Sequence, residues 1–378
     1  MNNLTKDYNE LIAILTIISV VLTICVFSTV SQSLAQQPVF KETKVIENIE
    51  NIIAVDNVCA WPNLTLMPDG TITAIIFNKP SHGLEEGDAV CYASRDGGKT
   101  WKYMGTPVHH EPGTNRMNLA AGLSNDGSLV ALVSGWGGEG FREFILPPAI
   151  CRSKDNGKTW ITNGSVKHPE GEADLIPFGD IIRLGGKVLA AFVYGYNERQ
   201  SKPAYLLYSY DDGYTWGDAV PSGKFGEGPG NYNDFNEIAP LRLRSDRWLA
   251  AVRTARNSDL QLLVSEDEGK TWQIPEELAD GAISKRQEHP AHLLELNDGH
   301  ILLTYGIRWG VHGIGARVSN DGGKTWNAPI VVIYYGGGDG GYPSSVQLED
   351  GTIITAYYCS ANKNHPRYHM GIVRWKLP

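Results

Sequence analysis

Beyond about residue 45 the apolar positions come in short paired runs. Each pair is an alternating strand, a polar turn and a second apolar strand. The copies read NLTLMPDGTITAIIF, NLAAGLSNDGSLVALVSG, DIIRLGGKVLAAFVYG, EIAPLRLRSDRWLAAVR, HLLELNDGHILLTYG and PSSVQLEDGTIITAYY. Val, Ile, Leu and Thr fill the strands, and Asp-Gly or Gly-Gly marks most turns, so the pattern predicts β-hairpins. No segment after residue 40 carries a long helical period.

A second pattern follows five of the six hairpins. It reads SRDGGKTW from Ser94, SKDNGKTW from Ser153, SYDDGYTW from Ser209, SEDEGKTW from Ser265 and SNDGGKTW from Ser319. The starts are 59, 56, 56 and 54 residues apart, and a fixed period of this size marks a repeat architecture. Ser and Asp side chains bond to nearby backbone N–H groups and fix a tight turn. The Gly supplies a positive φ, and the Trp packs where one repeat meets the next. Five equivalent copies cannot share one asymmetric site, so the phrase is expected to be structural.

Six four-stranded units of about 56 residues account for the roughly 340 residues after the N-terminus, which predicts an all-β, six-bladed β-propeller. The last unit lacks outer strands. Lys44–Ile53 and the tail Gly371–Leu377 are the expected donors that close the ring.

The 378 residues are 42% apolar and 10% aromatic, enough for one large core. A net charge of −9 argues against nonspecific nucleic-acid binding. Leu11 to Val30 form a nearly unbroken apolar run, followed by SQSLAQQ with Ser33 and Ala35 in a small-x-small pattern. This predicts a secretory signal, residues 1–35, a short linker, 36–43, and the propeller at 44–378. The run is long enough to span a bilayer, so a retained anchor, and with it a membrane tether, is the alternative. Either way the propeller is expected outside the cytoplasm. Cys59, Cys91, Cys151 and Cys359 remain after the signal. A bridge from Cys59 to Cys359 across the seam and free buried thiols both stay open. No Cys or His spacing resembles a zinc site, and neither metal nor cofactor is expected.

In a propeller the ends of the inner strands converge on the axis. The positions ahead of each inner strand hold Trp61, Arg116 with Asn118, Phe178 with Asp180, Asn236 with Glu237, His289 with His292, and Tyr342. The far ends add Asn78, Lys79, His82, Trp136, Tyr194, Arg253, Arg256 and Arg308. Such a funnel of aromatic and ionisable groups is the expected binding site.

The five phrases resemble the Asp-boxes of the sialidase superfamily, also called BNR repeats, whose members are six-bladed propellers. The resemblance covers nearly the whole mature chain. It implies the fold more strongly than the reaction, because unrelated activities share these boxes. Sialidases use a Tyr nucleophile with a paired Glu, an Asp acid/base and three Arg that hold the substrate carboxylate. The stretch GYPSSVQLEDGTIITAYY implies that role for Tyr342, and NEIAPLRLRSDRWLAAVR implies Glu237 as its partner. Arg253, with Arg256 as the second choice, and Arg308 match two of the arginines. The family's Phe-Arg-Ile-Pro signature falls on Cys-Ala-Trp-Pro at Cys59–Pro62, so Ala60 stands where an Arg is expected. Arg116, in GTNRMN, is the candidate substitute. The loop NKPSHGLEEGD places His82 nearest the acid/base position, with Glu85, Glu86 and Asp88 beside it.

The resemblance implies an exported glycoside hydrolase that removes a terminal acidic sugar from a glycan or polysaccharide, using Tyr342, Glu237 and His82. A lyase acting on a uronic-acid polymer through His82 and Tyr342 is the second reading. A non-catalytic glycan-binding propeller with Trp61, Trp136 and Tyr342 as stacking faces is the third.

Overall fold

A computed structural model describes residues 44–167, 175–195, 204–221, 235–254, 260–278, 282–284 and 287–378. The signal-like run, its cleavage pattern, the linker at 36–43 and Arg256 lie outside these residues. Among the described residues all helical and strand structure is β, gathered into six small sheets.

Blade 1 runs outward through Cys59–Leu66, Ile72–Phe77, Ala89–Ser94 and Lys102–Val108. Blade 2 uses Asn118–Leu123, Leu129–Gly137, Phe144–Ser153 and Ile161–Ser165. In blade 3 the inner strand is broken into Leu175–Pro177 and Ile182–Gly185, followed by Val188–Gly195, Ala204–Ser209 and Gly217–Pro221, while Gly179–Asp180 between the two pieces pairs in parallel with Ala120–Ala121 of blade 2. Blade 4 comprises Phe235–Arg242, Trp248–Thr254, Leu260–Ser265 and Ala282–Ser284, and blade 5 Glu288–Glu295, Ile301–Ile307, His312–Ser319 and Ile330–Gly336. Successive inner strands touch one another around the axis, and blade 6 touches blade 1. The all-β, six-bladed propeller expected from the repeat is the observed fold.

Each second strand lies between two sheet neighbours and two blades. Ile72–Phe77 and Ile353–Cys359 are accordingly buried at every residue. The outermost strands carry the polar residues, and Ile161–Ser165 is exposed throughout. Such edges resist pairing with other chains.

Both chain ends close the ring. Blade 6 contributes Gly340–Gln347, Ile353–Cys359 and His369–Trp375, and its outermost strand is Glu50–Asp56 from the N-terminal side. Glu50 pairs with Arg374 and Ile52 with Ile372 in an antiparallel ladder. The expected donor segment Lys44–Ile53 is split between two blades. Lys44–Val45 runs parallel to Ile330–Val331 on the edge of blade 5, and only the later part closes blade 6.

The repeated phrase acts as an interblade turn. In the first copy Ser94 Oγ donates to Asp96 at 2.8 Å and accepts Gly98 N–H at 2.9 Å, while Asp96 accepts the Thr100 N–H and hydroxyl at 2.9 and 2.6 Å. The same Ser, Asp, Gly and Thr bonds recur in the other four copies. The five phrase glycines all sit near φ +85°, between 83 and 88°. Each lies against the preceding blade: Gly98 on Ile354, Gly157 on Cys91, Gly213 on Val130, Gly269 on Leu206 and Gly323 on Leu249. A β-carbon on Gly157 would stand 2.3 Å from Cys91 Sγ. Gly157→Ala is therefore expected to destabilise the propeller by about 1–3 kcal/mol through overpacking and a disfavoured φ. Urea denaturation measures it, and an unchanged midpoint would mean that the turn is not pressed against blade 1.

Candidate active site

The site is built at the mouths of the inner strands of blades 1, 4 and 6. There the pairing registers slip, between Cys59 and Asn63, between Asn236 and Ala239, and between Gly341 and Ser344. The residues inside these bulges take positive φ: Trp61 at 47°, Glu237 at 46° and Tyr342 at 53°. A bulge re-aims a side chain that a regular strand would point into the sheet. A left-handed non-glycine residue costs on the order of 1–3 kcal/mol and is held only where the surroundings over-determine it. Three such residues converge on one buried cluster.

Tyr342 donates its hydroxyl hydrogen bond to Glu237 Oε1. Arg253 Nη1 donates to Glu237 Oε2 at 2.5 Å and lies 3.5 Å from the Tyr342 oxygen. The guanidinium of Arg308 lies over the Tyr342 ring, 5.0 Å from its centre. Its Nη2 donates to Gly340 O at 2.9 Å, and its buried Nε has no acceptor among the described residues. Trp61 stacks on Tyr342 at 5.1 Å and 13°, and Phe178 meets the same ring edge-on at 6.1 Å.

Burial and the neighbouring Glu237 charge push the Tyr342 phenol well above its ordinary pKa. Burial alone would also raise Glu237. The charge of Arg253 and the hydrogen bonds from Tyr342 and Arg253 outweigh it and hold the carboxyl below the usual range. The resting pair at neutral pH is thus a neutral phenol against a carboxylate, the state needed for a nucleophile activated by an adjacent base.

His82 approaches from the loop of blade 1, its ring 6.3 Å from that of Tyr342. Its Nδ1 bonds Asp339 Oδ2 at 2.8 Å. Asp339 also accepts the hydroxyls of Tyr358 at 3.0 Å and Tyr368 at 3.2 Å. Burial works against ionisation of Asp339, yet the His82 bond and charge hold it at about 2. An ionised Asp339 accepts a hydrogen bond from Nδ1–H, which orients the ring and leaves Nε2 as the nitrogen available for proton transfer. Arg142 fixes the loop by donating to His82 O at 2.9 Å. A cavity of about 260 Å³, lined by Arg253, Arg308, His289, His312, Gln287 and Asp339, opens beside this cluster.

Of the residues expected at the site, the structure brings together Tyr342, Glu237, Arg253, Arg308, His82 and Trp61. Arg116 is buried, but the carboxylates acting on it are Glu111 and Asp88, and its Nε and Nη1 have no acceptor among the described residues. Asn118 is buried and bonds weakly to Ser134 at 3.5 Å. Glu86 and Asp88 make their bonds away from His82. Glu86 accepts Gly113 N–H at 2.7 Å, and Asp88 binds His110 through N and Nδ1 at 2.7 and 2.6 Å, so both organise loops. Cys59, Cys91, Cys151 and Cys359 are free and buried. Sequence reasoning missed Asp339, Tyr358 and Tyr368.

The family model described as a BNR repeat-like domain matches residues 106–355. No curated protein matches the chain. Among solved structures, a protein of unknown function from Dyadobacter fermentans is 22% identical with a TM-score of 0.70, over 88% of this chain and 100% of that one. The Hadza microbial sialidase Hz136 is 18% identical with a TM-score of 0.63, over 84% of this chain and 65% of its own. A Penicillium chrysogenum α-L-arabinanase, complexed with arabinobiose, is 12% identical with a TM-score of 0.60, over 87% and 99%. At these identities the likeness is one of fold.

Proposed function

The chain belongs to the BNR repeat-like domain family, and from that fold and the geometry of its site we propose that it is an exported glycoside hydrolase that removes a terminal acidic sugar from a glycan or polysaccharide. The observation that carries this reading is the buried Tyr342 phenol hydrogen-bonded to Glu237, itself braced by Arg253. Glu237 takes the phenolic proton while the Tyr342 oxygen attacks the anomeric carbon. Protonated His82, paired with Asp339, gives its Nε2 proton to the leaving oxygen. Water then attacks the glycosyl-tyrosine, with His82 accepting its proton and Glu237 returning one to Tyr342. A neutral phenol avoids the repulsion that a carboxylate nucleophile meets beside a substrate carboxylate, which is why sialidases depart from the two-carboxylate pattern.

Arg253 and Arg308 are the groups to hold the substrate anion, and the unpaired Arg308 Nε is a donor in reserve. Among the described residues no third arginine joins Arg253 and Arg308 at the Tyr342–Glu237 pair. Ala60 stands at the signature position, Trp61 covers the Tyr342 ring, and Arg116 answers to a different set of charges. A charge-assisted hydrogen bond contributes roughly 1.5–3 kcal/mol, so its loss weakens sialic-acid affinity by about one to two decades. Simple sialosides are expected to be cleaved poorly, with better turnover on another acidic sugar. The measurement is kcat/KM on an aryl sialoside beside aryl uronides and uronate oligosaccharides. Efficient sialoside cleavage would overturn this specificity.

The His82–Asp339 pair also supports a second reading. A carboxylate-oriented imidazole with a tyrosine beside it is suited to abstract the C5 proton of a uronate and protonate the departing oxygen. The same panel separates the two, since a lyase yields an unsaturated, ultraviolet-absorbing product and a hydrolase does not.

A further inference from the structure

Cys59, His82 and Asp339 offer a sulfur, a nitrogen and an oxygen within 4.8 Å of one another. They come from three separate segments: the start of the inner strand of blade 1, the loop after its second strand, and the turn ahead of the inner strand of blade 6. We propose that this trio is a zinc site, and that zinc held there switches the candidate active site off by withdrawing His82. The switch rests on the hydrolase reading above, whereas the metal site does not.

The donor set is what zinc selects. Thiolate, imidazole and carboxylate are its three protein ligand types, and three of them with a fourth position left for water make an open tetrahedral site. Zinc bonds of about 2.0–2.3 Å place ligand atoms roughly 3–4 Å apart, so side-chain adjustments of about 1 Å complete the set. The His82–Asp339 contact, at 2.8 Å, opens by about 0.5 Å when the ion replaces the proton between them. Tyr358 donates to Asp339 Oδ1 and Tyr368 to Oδ2, and such outer hydrogen bonds orient a ligating carboxylate. The cavity of about 260 Å³ is lined by Gly338 and Asp339, so the carboxylate arm of the trio borders open space. Among the described residues no other thiol has this company. Cys359 has His369 at 3.4 Å but belongs to no group of three ligating residues.

Binding replaces the Cys59 thiol proton with the metal and releases that proton to solvent. One His82 nitrogen coordinates through its lone pair while the other keeps the ring proton. A metal-bound His82 can neither protonate a leaving oxygen nor accept a proton from water. Cys59 itself takes no part in the proposed reaction.

The test uses the full chain, freed of metal by a chelator and then titrated with Co²⁺ and with Zn²⁺. One ion per chain is expected, with a near-ultraviolet thiolate-to-Co²⁺ charge-transfer band. Cys59→Ser and Cys59→Ala are expected to lose that band and to bind Zn²⁺ at least about 10-fold more weakly, since even changes outside the ligand shell cost 10–100-fold. Melting curves establish that the variants are folded, and the wild-type band reports thiolate binding without them. Turnover of the wild type is expected to fall as zinc fills the site, while the Cys59 variants keep their basal turnover at the same zinc concentration. An absent band, or undiminished binding after Cys59 is removed, overturns the site. Saturation of the site with turnover unchanged overturns the switch. If no sugar in the panel is turned over, the hydrolase reading fails, and stoichiometry and the band still decide the metal site.

Discussion

Deleting Gly371–Pro378 is expected to unfold the whole propeller in one transition rather than fray one blade. The segment forms most of the strand His369–Trp375, which lies between Ile353–Cys359 and the N-terminal Glu50–Asp56. Ile372, Val373 and Trp375 are almost wholly buried. Burying a side chain of this size contributes roughly 1.5–3 kcal/mol. Losing three removes about 5–9 kcal/mol, against a total stability of about 5–15 kcal/mol for a folded domain. Trp375 also donates to Thr355 at 2.9 Å, and Arg374 donates to Gly97 O in the first repeated turn at 2.8 Å. The deletion further strands Glu50–Asp56, whose ladder partner among the described residues is the strand it truncates. Blade 6 then loses both outer strands and its grip on blade 1. Urea unfolding followed by tryptophan fluorescence and by circular dichroism measures this. A truncated chain with the full-length midpoint would show that the ring is held closed some other way.

This closure was legible in the sequence because it follows from counting: six hairpins, five turn phrases and two unused ends. The turns were legible because their chemistry is local, with Ser, Asp, Gly and Thr bonding within one phrase. The site was only partly legible. Tyr342, Glu237, Arg253 and Arg308 stand at strand mouths where a periodic reading, aided by the resemblance, places them. The bulges that turn Trp61, Glu237 and Tyr342 toward each other are set by pairing register, and no residue type announces them. Asp339 lies in the glycine-rich run ahead of Tyr342 and meets His82 across 257 positions of sequence, at the seam between the first and last blades. Only the closed ring brings the two together. Arg116 shows the converse. It occupies a strand mouth as expected, yet its side chain answers to Glu111 and Asp88 rather than to the Tyr342–Glu237 pair.

Tyr342→Phe is expected to lower kcat at least about 10³–10⁴-fold while the fold persists. The substitution removes one hydroxyl and leaves Glu237 bonded to Arg253, so its stability cost is about 1 kcal/mol, that of one hydrogen bond. Its catalytic cost is much larger, because nucleophile and activating base are lost together: proton transfer by a placed side chain alone contributes about 10²–10⁴-fold. Glu237→Gln is expected to cost similar activity but more stability. It neutralises one side of the buried Glu237–Arg253 pair, and breaking a buried ion pair from one side costs about 3–5 kcal/mol. Its turnover has to be measured well below its own melting temperature. The double variant should be scarcely slower than Tyr342→Phe, because residues that act as one unit do not lose activity additively. A stacking role for Tyr342 predicts the opposite pattern. Phenylalanine keeps the face that Trp61 and Arg308 touch, so binding and turnover would stay near wild type. A Tyr342→Phe protein that retains most of its kcat on the preferred substrate would remove Tyr342 from the chemistry and leave it as a platform for the sugar.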